Sequence, residues 1–288
     1  MSTSTPTSSN FKRVYLLGTG LIGGSLALDL KDRGLVETIV GSDALQERSE
    51  AALGLGILDE ILPMVPDVIG SCDLVVLAVP VLSLREILSA GFEPDTLVTD
   101  AGSVKGDAVK GYREAVAAGR GYRYVPGHPI AGDERSGPEA ARKGLYDGAR
   151  VILTPVDASE RDVSDVSALW KGVGATVKIM DPDEHDKAFA WVSHMPHMAA
   201  YAIIDSVLEQ DPDLIDLSGG GLRDYTRIAA SSPRMWADIA VTNREELLKA
   251  VRGLGDSVNR IISAIEKGDR DRLEEIFERI AVVRRSEN

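Results

Sequence analysis

Four histidines, at 128, 185, 194 and 197, are the side chains here whose ordinary pKa lies near neutrality, and none occurs in the first 127 residues. His128 sits in Val125-Pro126-Gly127-His128-Pro129-Ile130-Ala131-Gly132, where prolines and glycines on both sides of the ring predict a stiff, specific loop. One imidazole held that way suits general base chemistry. Asp133, Glu134 and Arg135 follow at once and supply charge at a pocket rim. His194-Met195-Pro196-His197 lies within the apolar segment 189–204; Pro196 lacks an N–H and should kink a helix there, so that an imidazole faces a ligand. The spacing also admits a zinc pair or buried structural histidines, but with no nearby Cys or placed carboxylate no metal is expected. Arg227 ends Gly219-Gly220-Gly221-Leu222-Arg223-Asp224-Tyr225-Thr226-Arg227. A guanidinium there can grip a carboxylate through two parallel hydrogen bonds; an i, i+3 ion pair with Asp224 is the other reading.

These groups need a scaffold, and its clearest sign is Val14-Tyr15-Leu16-Leu17-Gly18-Thr19-Gly20-Leu21-Ile22-Gly23-Gly24. An apolar run breaks into G-x-G-x-x-G and resumes at helical spacing, which predicts strand, tight turn and helix. Gly18 permits the turn, Gly20 lets the backbone approach a pyrophosphate, and Gly23 lets helix pack on strand. Asp43 lies twenty residues beyond Gly23, after a second apolar run, where a carboxylate accepts ribose hydroxyls and repels a 2′-phosphate. NAD is therefore favoured over NADP, with Arg48 as the one nearby residue that could meet a phosphate; a glycine turn holding no nucleotide is the bland alternative. Strand-like runs at 14–17, 38–41, 74–78, 97–99, 150–154 and 176–179 alternate with helix-period segments, the pattern of a doubly wound parallel α/β sheet. Ligands of such sheets sit outside the carboxyl ends of the strands. That singles out Gly18 to Gly23, Asp43, Val79-Pro80, Ser103 and Gly127 onward. There His128 could take the proton of a substrate hydroxyl as hydride leaves for a nicotinamide.

After Met180 strand signals end, and Asp181-Pro182-Asp183-Glu184 reads as a helix start. Leu247, Val251, Leu254, Val258, Ile261 and Ile265 fall on one helical stripe, either part of an intramolecular bundle or a two-fold dimer seam. The expected division is a disordered tail over 1–10, a dinucleotide-binding domain over 11–181 and a helical substrate and dimerisation domain over 182–288. The net charge of −13 in 288 residues disfavours nucleic acid and anionic membrane as partners. No apolar run is long enough to span a bilayer, and the single Cys72 suits a reducing cytoplasm.

Five stretches together resemble the prephenate and arogenate dehydrogenase family: the glycine motif through Ser25, Asp100-Ala101-Gly102-Ser103-Val104-Lys105, Gly127-His128-Pro129-Ile130-Ala131-Gly132-Asp133-Glu134, Ser193-His194-Met195-Pro196-His197, and Asp224-Tyr225-Thr226-Arg227-Ile228-Ala229. The resemblance implies a Rossmann-type sheet followed by an all-helical dimerisation domain. It implies oxidative decarboxylation of a small anionic cyclohexadienol with NAD, driven by aromatisation. It also implies roles: His128 holds and deprotonates the ring hydroxyl, with Ser103 hydrogen-bonding beside it. His197 and Arg227 bind substrate carboxylates, Glu134 gates the mouth, and Asp186, His194 and Trp236 support them. The cofactor contacts implied are Gly18, Thr19, Gly20, Leu21, Ile22, Gly23, Asp43, Val79, Pro80 and Ser103. Where the family often has Thr this chain has Asp133, whose charge would favour the ammonium of arogenate over the keto group of prephenate. A β-hydroxyacid-type dehydrogenase relying on Lys187 or Lys249, and a non-catalytic nucleotide sensor, are the competing readings.

Overall fold

The computed structural model of the chain describes residues 11–133 and 135–286. The segment 1–10, expected as a tail, and the implied gate Glu134 lie outside them. The first half builds β1 (Arg13–Leu17), α1 (Leu21–Asp32), β2 (Thr38–Ser42), α2 (Gln46–Gly54), the short β3 (Glu60–Ile61) and α3 (Pro66–Ile69). It continues through β4 (Leu74–Leu77), α4 (Val81–Ala90), β5 (Leu97–Asp100), α5 (Gly106–Ala117) and β6 (Arg123–Val125). These six strands form one parallel sheet in the order β3-β2-β1-β4-β5-β6, the dinucleotide-binding arrangement with its switch point between β1 and β4.

Side chains alternate across a strand, so β1 feeds two cores. Val14 and Leu16 pack with Leu26, Leu30, Leu169 and Trp170 on one face. Tyr15 joins Leu84, Leu88, Tyr112 and Tyr124 under α4 and α5 on the other.

A second sheet departs from the single sheet expected. β7 (Gly127–Ile130), β8 (Arg150–Leu153) and β9 (Thr176–Ile179) form three strands in that order, with α6 (Glu160–Gly172) between the last two. β7 runs antiparallel to β8, pairing His128 with Ile152. The loop that the prolines and glycines around His128 predict is therefore two strands in different sheets, turning at Pro126. Proline is tolerated here because β7 is an edge strand, and an edge residue needs no N–H for a ladder on its open side.

Helices follow: α7 (Pro182–Phe189), α8 (Met195–Gln210), α9 (Gly220–Thr226), α10 (Pro233–Thr242), α11 (Arg244–Glu266) and α12 (Arg270–Arg285). The acidic start signal holds, since Asp181 caps α7 by accepting from Asp183 N at 2.8 Å and Glu184 N at 3.3 Å. Pro196 breaks no helix. It occupies the first turn of α8, where a missing N–H costs nothing, and the irregularity is a π turn just before it, Ala190–His194. Of the α11 stripe only Leu247 is buried, while Val251, Val258 and Ile265 are exposed. Among the described residues no helix is long and apolar enough to cross a membrane.

Candidate active site

The glycine turn has the shape a pyrophosphate needs. Gly18 takes φ +92°, and a Cβ on it would collide with the Ala78 carbonyl of the neighbouring strand end. Its N–H donates to Ser42 O at 2.9 Å, tying the turn to β2. Gly23 has no room either, being pressed on the Gly18 carbonyl and Ala78. Gly20 differs, since a Cβ there meets nothing within 4 Å. No side chain caps α1 behind it, so the helix N-terminus is left to an anion. Leu21 is buried, which leaves its backbone N–H as the part available to a ligand. Ile22 gives its carbonyl to the Tyr146 hydroxyl at 2.6 Å.

Thr19 is fully buried. Its N–H and hydroxyl both donate to Asp43 Oδ2, at 3.0 and 3.3 Å, so the ribose-binding candidate also braces the turn. Leu45 N donates to Asp43 Oδ1 at 3.3 Å. A carboxylate has about four acceptor sites, so with three taken one remains for a ribose hydroxyl. Val79 and Pro80 connect β4 to α4, with Pro80 exposed. The residues present fit a dinucleotide.

Beside this crevice lies a connected set of buried polar groups. His128 Nδ1 is 2.8 Å from His185 Nε2, and His185 Nδ1 is 2.8 Å from Asp186 Oδ1. Asp186 also accepts from the backbone N–H groups of Lys105 and Gly106, at 2.8 and 2.7 Å, at the start of α5. Phe189, one turn beyond His185, stacks on it with centroids 4.4 Å apart and also borders His128. Beneath them Lys105 and Asp100 form a fully buried ion pair. Tyr124 donates to the other Asp100 oxygen at 2.6 Å, and Lys105 Nζ donates to the Gly127 carbonyl at 2.5 Å. Ser103 lies half-buried in the turn between these two charges.

Burial pushes His128 well below the usual imidazole range, and the buried Lys105 charge and the neighbouring His185 and His194 rings oppose a further positive charge there. His185 is also lowered, because burial outweighs its bond to Asp186. Burial would raise Asp186, but its bonds to His185, Lys105 N and Gly106 N win and hold it ionised. His128 is thus a neutral ring at neutral pH.

The π turn delivers the second histidine group. Asn243 Nδ2 lies 2.8 Å from the Asp186 carbonyl, which can only accept, and 3.1 Å from His194 Nδ1. That amide donates to both, so the proton of neutral His194 is on Nε2. Burial lowers His194 to about 4. His197 Nδ1 lies 3.0 Å from the Ser193 carbonyl, and the ring stacks on Trp236 with centroids 3.5 Å apart. Two buried N–H groups, His194 Nε2 and Trp236 Nε1, lack a hydrogen-bond partner among the described residues. Trp236 packs with Val81 and Val104, the residues after Pro80 and Ser103, which brings this group against the cofactor side of the sheet.

Arg227 opens a short turn, Arg227–Ala230, against α8, and is exposed. Asp133 does not offer a free charge. Arg135 Nη2 and Arg142 Nη1 both bond its Oδ2, at 2.8 and 2.7 Å, and hold its carboxyl far below the usual range. The charge expected to favour an ammonium-bearing substrate is thus shared with two guanidinium groups. Lys187 and Lys249 are exposed, and Lys249 pairs with Glu246, so neither is a buried base in the helical half.

Sequence reasoning missed the contacts of His185, Phe189 and Asn243 with the candidate site residues. His185 carries a signal, an adjacent carboxylate and an aromatic at i+4. Asn243 carries none, because its partners lie 49 and 57 residues away. Among the described residues no group of three or more His, Cys, Asp or Glu could hold a metal ion.

Residues 26–179 match a family model described as prephenate dehydrogenase, nucleotide-binding domain, and residues 181–279 match its dimerization domain. The chain is 35% identical over 272 residues to a prephenate dehydrogenase of Bacillus subtilis (strain 168), covering 92% of this chain and 73% of that one. It is 31% identical to a cyclohexadienyl dehydrogenase of Zymomonas mobilis, covering 93% of each. The crystal structure of a prephenate dehydrogenase from A. aeolicus in complex with hydroxyphenyl propionate and NAD+ superposes with a TM-score of 0.87 at 38% identity, covering 96% of this chain and 98% of that one. With the glycine turn, the buried histidines and both domain matches agreeing, this chain belongs to the prephenate dehydrogenase family.

Proposed function

We propose that this protein is an NAD-dependent prephenate dehydrogenase, which converts prephenate to 4-hydroxyphenylpyruvate and CO2 in tyrosine biosynthesis. The observation that carries it is a neutral, buried His128 beside a glycine turn shaped for a dinucleotide, in a chain of this family. Bound NAD+ would supply the hydride acceptor, held by the backbone of Gly18 to Gly23 and by Asp43, with Val79, Pro80 and Ser103 at its nicotinamide end.

The protein's own part is to orient the ring, take one proton and hold an anion. His128 accepts the proton of the ring hydroxyl and returns it to the phenolate oxygen after CO2 departs, so no net proton is released. Ser103 steadies that oxygen. His197, flat against Trp236, and Arg227 meet the carboxylates, and the unpartnered N–H groups of His194 and Trp236 suit acceptor oxygens of an anionic ligand. Asp186 supports the histidines, and Glu134 guards the mouth as the resemblance implies.

The functional units are 11–181 for cofactor and 182–288 for substrate and dimerisation, and the exposed Val251, Val258 and Ile265 on α11 suit a homodimer seam. A free Cys72 and a nicotinamide cofactor suit the cytoplasm.

Mixing protein, NAD+ and prephenate should generate reduced nicotinamide; no turnover with either prephenate or arogenate would overturn the reading. The cyclohexadienyl dehydrogenase relative favours a second reading in which arogenate is also used. Asp133→Thr removes one negative charge and leaves Arg135 and Arg142 without that partner, so if position 133 helps choose the substrate the ratio of kcat/KM for arogenate over prephenate should fall.

A further inference from the structure

Each ring nitrogen in the line from His128 to Asp186 can be assigned a proton from its neighbour. The Asp186 carboxylate takes two backbone N–H groups and an imidazole, so it is purely an acceptor. His185 must therefore donate from Nδ1. In a neutral ring this leaves His185 Nε2 as a bare lone pair, and the atom 2.8 Å from it is His128 Nδ1. That atom must carry the proton. His128 Nε2 is then the unprotonated nitrogen, the one able to remove a proton from a substrate.

We propose that His185, anchored by Asp186, is a positioning residue that pins the proton of His128 on Nδ1 and so makes Nε2 the base. The proposal rests on the dehydrogenase reading above and deepens it. His185 itself is held against rotation by its bond to Asp186 and by its stack on Phe189. When Nε2 gains the hydroxyl proton, one O–H bond breaks and one N–H bond forms. The imidazolium keeps donating through Nδ1 to His185, and the line ends on the ionised Asp186. The charged or titratable groups facing His128 are His185 and Asp186 from α7, Lys105 with Asp100 at the end of β5, and His194 from the π turn. Lys105 opposes the imidazolium, and the ionised Asp186 at the far end of the line is the one negative group to which the line of hydrogen bonds leads.

Four histidines in the chain make the test direct. In protein labelled with 15N-histidine, two-bond proton–nitrogen spectra should show His128 protonated on Nδ1 and bare at Nε2. His185→Phe keeps the ring stack but offers no acceptor. It should mix the His128 tautomers, lower kcat by about a hundredfold with KM for prephenate little changed, and move the acid limb of kcat to lower pH. His185→Gln, whose side-chain oxygen can accept from His128 Nδ1, should restore the tautomer and most of kcat. A wild-type His128 protonated on Nε2, or a folded His185→Phe with wild-type kcat and pH profile, would overturn the proposal. Should the Phe variant fail to fold, the wild-type spectrum and a Gln variant as impaired as an outright loss of turnover still decide against it. Failure of the dehydrogenase reading is separate, because it appears as wild-type protein that turns over neither substrate whatever its tautomers.

Discussion

His128 is a neutral ring at neutral pH, and the groups within reach of it keep it so. Burial and the neighbouring Lys105 hold its pKa well below the usual imidazole value, so the ring stays unprotonated as the pH falls below neutrality. His128→Asn removes the proton acceptor while keeping a small polar side chain. Its kcat should fall at least about a hundredfold in steady-state assays with prephenate and NAD+, with NAD+ affinity by titration unchanged. Asp133 shows the opposite case, a residue whose charge is legible in the sequence but whose effect is not. Its guanidinium partners stand two and nine residues along, and only the folded turn shows that both reach it.

Glycines that look equivalent in the motif are not equivalent in the elements they join. Gly18 is required by its own backbone, since φ +92° is strained for any L side chain and the Ala78 carbonyl fills the Cβ position. Gly20 has an ordinary φ of −68° and open space beside it. Gly20→Ala should therefore leave the melting temperature nearly unchanged while weakening NAD+ binding measured by calorimetry. Gly18→Ala should lower both. The π turn before α8 makes a related point. A proline within an apolar segment reads as a kink, but Pro196 fits the first turn of a new helix, and the π turn is what sets His194 and His197 one against Asn243 and the other against Trp236.

Across the whole molecule all four histidines have lowered pKa values, so acid acts on stability before it protonates the folded His128 ring. The folded state binds fewer protons than the unfolded chain between pH 6.5 and the folded values. Stability is therefore complete above about pH 6.5 and declines as the pH falls through that window. His194 alone, lowered to about 4, should cost about 2 kcal/mol at pH 5 and about 3 kcal/mol below pH 4. Urea unfolding at pH 7 and pH 5 should show the midpoint falling at unchanged slope. A midpoint that does not move between these values would contradict the buried, neutral histidines. Asp186, whose pKa is also lowered, adds loss in the same direction at lower pH.

The sequence by itself determined what depends on neighbours in the chain. The glycine turn, the acidic stop after β2, the parallel sheet of β1, β2, β4 and β5, and the capped start of α7 all follow from spacing and backbone preference within a few residues. Tertiary structure alone decided what depends on partners far along the chain. β7 is a strand because β8, over twenty residues later, supplies its hydrogen bonds, although its own prolines and glycines spell a loop. The tautomer proposed for His128 likewise rests on His185 and Asp186, which arrive from another element more than fifty residues on. Such pairings leave no local pattern, since a hydrogen bond or an ion pair is fixed by distance in space and the chain sets that distance only once it has packed.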